Sequence, residues 1–173
     1  MRKILVVIDM QNDFVDGALG TKEAQAIVGN VVKKIREYDT KDIFATRDTH
    51  QEDYLESAEG KKLPVVHCVE GTQGWEMNPE VEKALQGATI INKPTFGSVV
   101  LAELLQEEND KEELEIELVG LCTDICVVSN ALLLKAVMPE ISISVDASCC
   151  AGVTPESHDA ALITMEKCHI DVI

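Results

Sequence analysis

The strongest constraint on the fold of this chain is a rhythm in which short apolar runs are each followed by a stretch with helical periodicity. The runs fall at Lys3–Ile8, Asp42–Thr46, Ala88–Asn92, Leu114–Gly120, Ile141–Val145 and a short terminal Ile170–Ile173. Between them, helices are expected over Lys22–Tyr38, Pro79–Leu85, Ser98–Glu108, Asp124–Val137 and Thr154–Lys167. Strands joined through helices run parallel, and the crossover helices cover the sheet on both faces. The runs "ILVVI" and "IELVG" fit strands buried on both sides, and "TPESHDAALITMEK" opens on Thr154, Pro155 and Glu156, a helix-start pattern. The expected class is therefore α/β, a three-layer αβα sandwich around a mostly parallel, six-stranded sheet.

A chain of 173 residues fits one domain, here 1–173, with no repeat or linker to divide it. One connection breaks the rhythm. Residues 47–78 show no convincing periodicity, yet they hold two of the four histidines and the only tryptophan. Long irregular segments inside a compact domain are functional or disordered, and this composition argues for function.

Charge narrows the partners. Acidic residues outnumber basic ones 31 to 15, and the net charge of -16 repels both a phosphate backbone and anionic lipid headgroups. Nucleic acid and membrane partners are therefore not expected. Much of the excess lies in Glu103–Glu117 and reads as a solvated helix end and loop. The opening "MRKILVVID" is too short for a signal sequence and ends on an aspartate, and nothing approaches a membrane span. The expectation is a cytoplasmic protein whose six cysteines stay reduced. Their spacing fits neither a disulfide framework nor a zinc ribbon, so most read as small apolar core residues.

In open parallel sheets, ligands bind outside the carboxyl ends of the strands, so polar residues that end an apolar run carry information. Four runs end that way, at Asp9, Asp48, Lys93 and the turn "GLCTDIC" with Cys126. Together they would supply a base, a metal ligand, a cation and a thiol. A helix N-terminus and a nearby lysine both favour a thiolate, and Cys126 is expected to have both. Asp9 would take the thiol proton and pass it to a leaving amine, Lys93 would stabilise the anion, and the backbone amides of Cys122 and Cys126 would bind an oxyanion. That is acyl transfer to sulfur followed by hydrolysis. A second group, Asp48 and His50 in "RDTH" with Glu59 and His67 in "EGKKLPVVHC", has the donor types for Zn²⁺, with Fe²⁺ or Mn²⁺ as alternatives.

These segments resemble the isochorismatase-like cysteine hydrolases, and within them the nicotinamidase branch, over nearly the whole chain. "LVVIDMQNDFVDGAL", "TRDTH", "LPVVHCVEGTQGWE", "INKPTFGS" and "GLCTDICVVSNA" occur in the family's order. The resemblance implies a triad of Asp9, Lys93 and Cys126, an oxyanion hole from the amides of Cys122 and Cys126, and a cis peptide between Leu121 and Cys122. It also implies Asp48, His50 and His67 as metal ligands, with Glu59 as the fourth and Glu56 as its rival. In the family the metal orients the substrate by binding a ring nitrogen. Phe14 matches one aromatic that clamps the ring, Pro64 stands where another is often found, and Phe96 follows Lys93; Trp75 is either a further wall or a loop-packing residue. The implied substrate is a small carboxamide, nicotinamide or an analogue, and the implied assembly a homodimer or homotetramer.

Other readings make different demands. A vinyl-ether-cleaving isochorismatase would typically lack the cysteine, and a hydrolase of N-carbamoyl compounds often lacks the metal ligands. A thiol redox sensor would pair Cys122 with Cys126 or Cys149 with Cys150, but neither pair is C-x-x-C and adjacent cysteines seldom form a relaxed disulfide. His158 and His169 read as local packing or capping groups.

Overall fold

In the computed structural model, which describes Met1–Ile173, six strands form one sheet: β1 (Arg2–Ile8), β2 (Ile43–Asp48), β3 (Thr89–Lys93), β4 (Leu114–Leu121), β5 (Ser142–Ala151) and β6 (Asp171–Val172). Their order is β3-β2-β1-β4-β5-β6, and every neighbouring pair is parallel. The helices are α1 (Asn12–Val15), α2 (Lys22–Ile35), α3 (Ala58–Lys62), α4 (Pro79–Ala84), α5 (Val99–Lys111), α6 (Val128–Val137) and α7 (Pro155–Lys167).

Alternation along β1 builds both cores. Ile4, Val6 and Ile8 pack with Leu101 and Leu105 of α5, Leu134 of α6 and Met165 of α7. Leu5 and Val7 point the other way, toward Ile27, Val31 and Ile35 of α2 and Val81 of α4. Burying one such aliphatic side chain contributes about 1.5–3 kcal/mol, so the central strand is anchored from both sides. The expected three-layer sandwich is present, and its sheet is wholly parallel rather than mostly so.

Where elements depart from expectation, polar partners explain it. β5 runs on to Ala151 because Asp146, which breaks the apolar pattern, pairs with Lys34 at 3.0 Å and accepts from the Ser148 N–H at 2.9 Å. α5 continues to Lys111, whose ammonium pairs with Glu108 at 2.8 Å across one turn. The helix expected from Asp124 starts instead as a π-helical turn, Thr123–Val127, in which the Val127 N–H reaches back to the Cys122 carbonyl at 3.0 Å. The 47–78 segment includes α3; the bond from His50 N–H to the Cys68 carbonyl (2.9 Å) closes it on itself, and the bond from Asn78 N–H to the Met10 carbonyl (2.8 Å) ties its end to the loop after β1.

Candidate active site

The strand order reverses direction of progression between β1 and β4, which in such sheets opens a crevice at the carboxyl edge. Asp9 is the first residue beyond β1, Cys122 the first beyond β4, and Asp48 and Lys93 end β2 and β3. Two backbone features shape this edge. Asp9 has φ 46, a left-handed conformation unusual for a residue with a side chain, and the peptide between Leu121 and Cys122 is cis.

The catalytic candidates are in contact. Lys93 Nζ lies 2.7 Å from Asp9 Oδ2, 3.3 Å from Cys126 Sγ and 3.3 Å from Asp48 Oδ1, and donates to the Thr95 carbonyl at 3.0 Å. Asp9 and Lys93 are buried, and Cys126 is 4% exposed. Thr46 Oγ1 donates to Asp9 Oδ1 at 2.7 Å, so both carboxylate oxygens are engaged. Burial works against the charge on Lys93, but Asp9, Cys126 and Asp48 hold its pKa above the ordinary lysine range. Burial also raises the Asp9 pKa, against the opposing pull of Lys93. The Cys126 thiol is pushed well up, first by burial and then by the charge of Asp9. The Lys93 ammonium acts in the opposite direction, toward the thiolate.

Beside the triad, Asp48, His50, Glu59 and His67 bring one donor atom each to within 4.8 Å of one another. His50 Nε2 stands 2.9 Å from Asp48 Oδ2 and 3.6 Å from Glu59 Oε1, while His67 Nε2 stands 3.7 and 3.8 Å from the same two oxygens. Ligand atoms around tetrahedral zinc are roughly 3.3 Å apart, so the set fits such an ion with small adjustments. His67 Nδ1 donates to the Val65 carbonyl at 2.7 Å, which leaves Nε2 for the cluster. Burial opposes the Asp48 charge, but His50, His67 and Lys93 hold its pKa below the usual carboxylate range. Glu56 is exposed and outside the cluster, so Glu59 is the carboxylate that reaches it.

A cavity of about 190 Å³ joins the two groups, lined by Phe14, Phe96, Leu63, Ile125, Cys126 and His67 among others. Pocket volumes for drug-sized ligands start near 300 Å³, so this one suits a smaller molecule. Pro64 is exposed and does not line it. Leu63 does so instead, and the Tyr54 hydroxyl donates to its carbonyl at 2.9 Å. Trp75 packs the loop rather than the cavity: its Nε1–H donates to Thr49 Oγ1 at 2.9 Å and the Arg47 guanidinium stacks 3.8 Å above its ring. A wider depression of about 800 Å³, with Arg2 and Lys3 in its wall, lies at the opposite edge of the strands and holds no comparable set.

Several supporting residues escaped the sequence reading. Gln11 is buried, donates through Nε2 to the Asp48 and Trp75 carbonyls at 2.8 Å each, and accepts from the Asp48 N–H at 2.7 Å. Its position two residues after the strand-ending Asp9 was the available signal. Asp13 Oδ2 accepts from the Cys68 N–H at 2.8 Å, directly after His67. His158, read as local packing, has Nδ1 at 2.8 Å from Thr123 Oγ1 in the nucleophile turn. Asn130 is buried against the same turn.

The whole of this architecture falls within a match to the Isochorismatase domain over residues 3–173. The chain belongs to the isochorismatase family. Within it, similarity points to the nicotinamidase-related branch. The chain is 24% identical to the nicotinamidase/pyrazinamidase of Mycobacterium tuberculosis, covering 99% of this chain and 98% of that protein. The crystal structure of the Bacillus subtilis nicotinamidase/pyrazinamidase superposes with a TM-score of 0.84 at 25% identity, covering 99% of both chains. The Pyrococcus horikoshii pyrazinamidase, solved in complex with zinc, gives 0.79 at 27% identity over 100% of this chain and 99% of that one. This family context fits the α/β sheet and the edge on which its polar residues converge.

Proposed function

We propose that this amidohydrolase cleaves a small carboxamide, nicotinamide or a close analogue, to the carboxylate and ammonia through a thioester on Cys126. The observation that carries the reading is the buried Asp9–Lys93–Cys126 contact chain, 2.7 and 3.3 Å long, opening into a cavity walled by Phe14 and Phe96.

Asp9 takes the Sγ proton as the sulfur attacks the carbonyl carbon. Lys93 stays charged beside both and offsets the negative charge that passes between carboxylate and sulfur. The backbone amides of Cys122 and Cys126 receive the oxyanion. Asp9 then passes that proton to the amide nitrogen, which leaves as ammonia as the thioester forms, and in the second half-reaction it takes a proton from the water that hydrolyses the thioester. Phe14 and Phe96 hold the substrate ring, with Leu63 in place of an aromatic. Asp48, His50, Glu59 and His67 would hold a divalent metal, zinc in the first instance with iron or manganese as alternatives. When bound, it would offer a Lewis-acidic point for a ring nitrogen. The same reading includes a single domain and a cytoplasmic homodimer or homotetramer.

The test is ammonia release from nicotinamide, pyrazinamide and N-carbamoyl compounds by metal-analysed protein, with Cys126→Ala in parallel. The expected result is turnover of a carboxamide by the wild type and none by Cys126→Ala, whose metal content is unchanged. Cleavage of N-carbamoyl compounds alone would replace the proposed substrate. Turnover by Cys126→Ala would refute the thioester route.

A further inference from the structure

Asn130 lies one helical turn beyond Cys126 and has no exposed surface. Its amide bonds three backbone groups. Nδ2 donates to the Cys126 carbonyl at 2.7 Å and to the Phe96 carbonyl at 3.1 Å, and Oδ1 accepts from the Ser98 N–H at 2.9 Å. One partner is the nucleophile's own backbone. The other two lie in the segment that carries the chain from Lys93 into α5, which Lys93 itself grips through the Thr95 carbonyl at 3.0 Å.

Neither the π-helical turn bearing Cys126 nor α6 has a side-chain N-cap. The start of the turn is held by Thr123 against His158 Nδ1 at 2.8 Å and by Asp124, which accepts from the Val153 N–H at 3.1 Å; at its Cys126 end the side chain that grips the backbone is the buried amide of Asn130. We propose that Asn130 is a positioning residue that holds Cys126 in register with Lys93 by tying their two backbone segments together, a role that rests on the amidase reading above. The quantity it sets is the 3.3 Å separation of Lys93 Nζ from Cys126 Sγ. It touches no reacting atom. Its effect is geometric, and misplacement of reacting groups by about 1 Å costs on the order of a hundredfold in rate.

Three variants test this. Asn130→Ala removes all three bonds. Asn130→Ser keeps a hydroxyl that can bond the carbonyl four residues back, which is that of Cys126, and gives up the two bonds to Phe96 and Ser98. Leu134→Ala weakens the same helix one turn further on, at a buried side chain that touches neither segment's hydrogen bonds. Two rates are read at temperatures equally far below each unfolding midpoint: carboxamide turnover, and alkylation of Cys126 by iodoacetamide, followed by fragment mass spectrometry that separates it from Cys122. Asn130→Ala is expected to lower both by roughly tenfold to a hundredfold, Asn130→Ser to recover part of the loss, and Leu134→Ala to stay within about threefold of wild type. Wild-type alkylation and turnover in Asn130→Ala would overturn the proposal, as would an equal loss in Leu134→Ala. Should Asn130→Ala prove insoluble, Asn130→Ser decides, with a loss of at least about threefold in both rates supporting the proposal and wild-type rates overturning it. Alkylation needs no turnover, so a wild type that hydrolyses no carboxamide would end the functional reading while the role of Asn130 is still decided by the reactivity of the sulfur.

Discussion

Lys93 is the residue on which the site's charges depend. Two buried carboxylates, Asp9 and Asp48, share its ammonium, and the thiol of Cys126 completes the set. Removing it leaves the two acids without that counter-charge. Lys93→Met should therefore destabilise the fold by about 3–5 kcal/mol near pH 7, since breaking a buried pair costs more than the pair contributes. The pH dependence has a definite sign. The Asp9 pKa is already raised by burial, and without Lys93 it rises further above its unfolded value of about 3.9. A group whose folded pKa is raised contributes stability that is full below the unfolded value and lost as pH climbs through the folded one. The deficit of Lys93→Met relative to wild type should thus shrink as pH falls from 7 toward 4. Urea unfolding of both proteins at three pH values measures it, and a constant deficit would show that Asp9 is not the group responsible.

At the scale of elements, the approach of β4 to β1 leaves no room for a side chain. Gly120 has φ 120, and a Cβ there would drive into the backbone of Ile8. Gly120→Ala should cost at least about 2 kcal/mol, or roughly 4–8 °C in unfolding midpoint. Gly29, inside α2, is the contrast: a Cβ there meets nothing within 4 Å, and Gly29→Ala should raise stability by about 1 kcal/mol through helix propensity. Thermal unfolding of the two variants side by side reads both signs. Such differences mark how far the chain could be read unaided. Strand β1 announces itself as a continuous apolar run because both of its faces are buried, and β2 to β4 as shorter or alternating ones. The last part of β5 does not, since Asp146 and Ser148 look like an ending until Lys34, far away in sequence, is known to face them. The π-helical turn is equally silent, as no residue type demands it. Within the site, Asp9, Asp48, Lys93 and Cys126 were legible as polar residues terminating apolar runs. Gln11, Thr46 and Asn130 were not, because their meaning lies in groups that the fold brings to them, the backbone around Asp48 and Trp75 for Gln11, Asp9 for Thr46, and the backbone of Cys126, Phe96 and Ser98 for Asn130.

Taken whole, the molecule gathers its chemistry from four strand ends and one long connection. The metal donors belong to β2 and that connection, so an ion bound there would tie the 47–78 segment to the sheet. Removing metal by chelation should lower the unfolding midpoint, by an amount that grows with the logarithm of the metal concentration used as reference. His50→Ala should show the lower midpoint and little response to added zinc. Differential scanning calorimetry with and without zinc measures this, and equal zinc responses in the two proteins would move the ion elsewhere. The strand order also has a bearing on how the protein comes into being. β1 is paired on one side by β2 and on the other by β4, and Cys126 follows β4. During translation Asp9 and Lys93 therefore leave the ribosome well before Cys126 does. For that interval the most apolar strand of the chain has one edge bare, a surface that other chains can pair with. The same connectivity keeps the nascent chain without Cys126, the nucleophile proposed above, until the segment that covers that edge has been made.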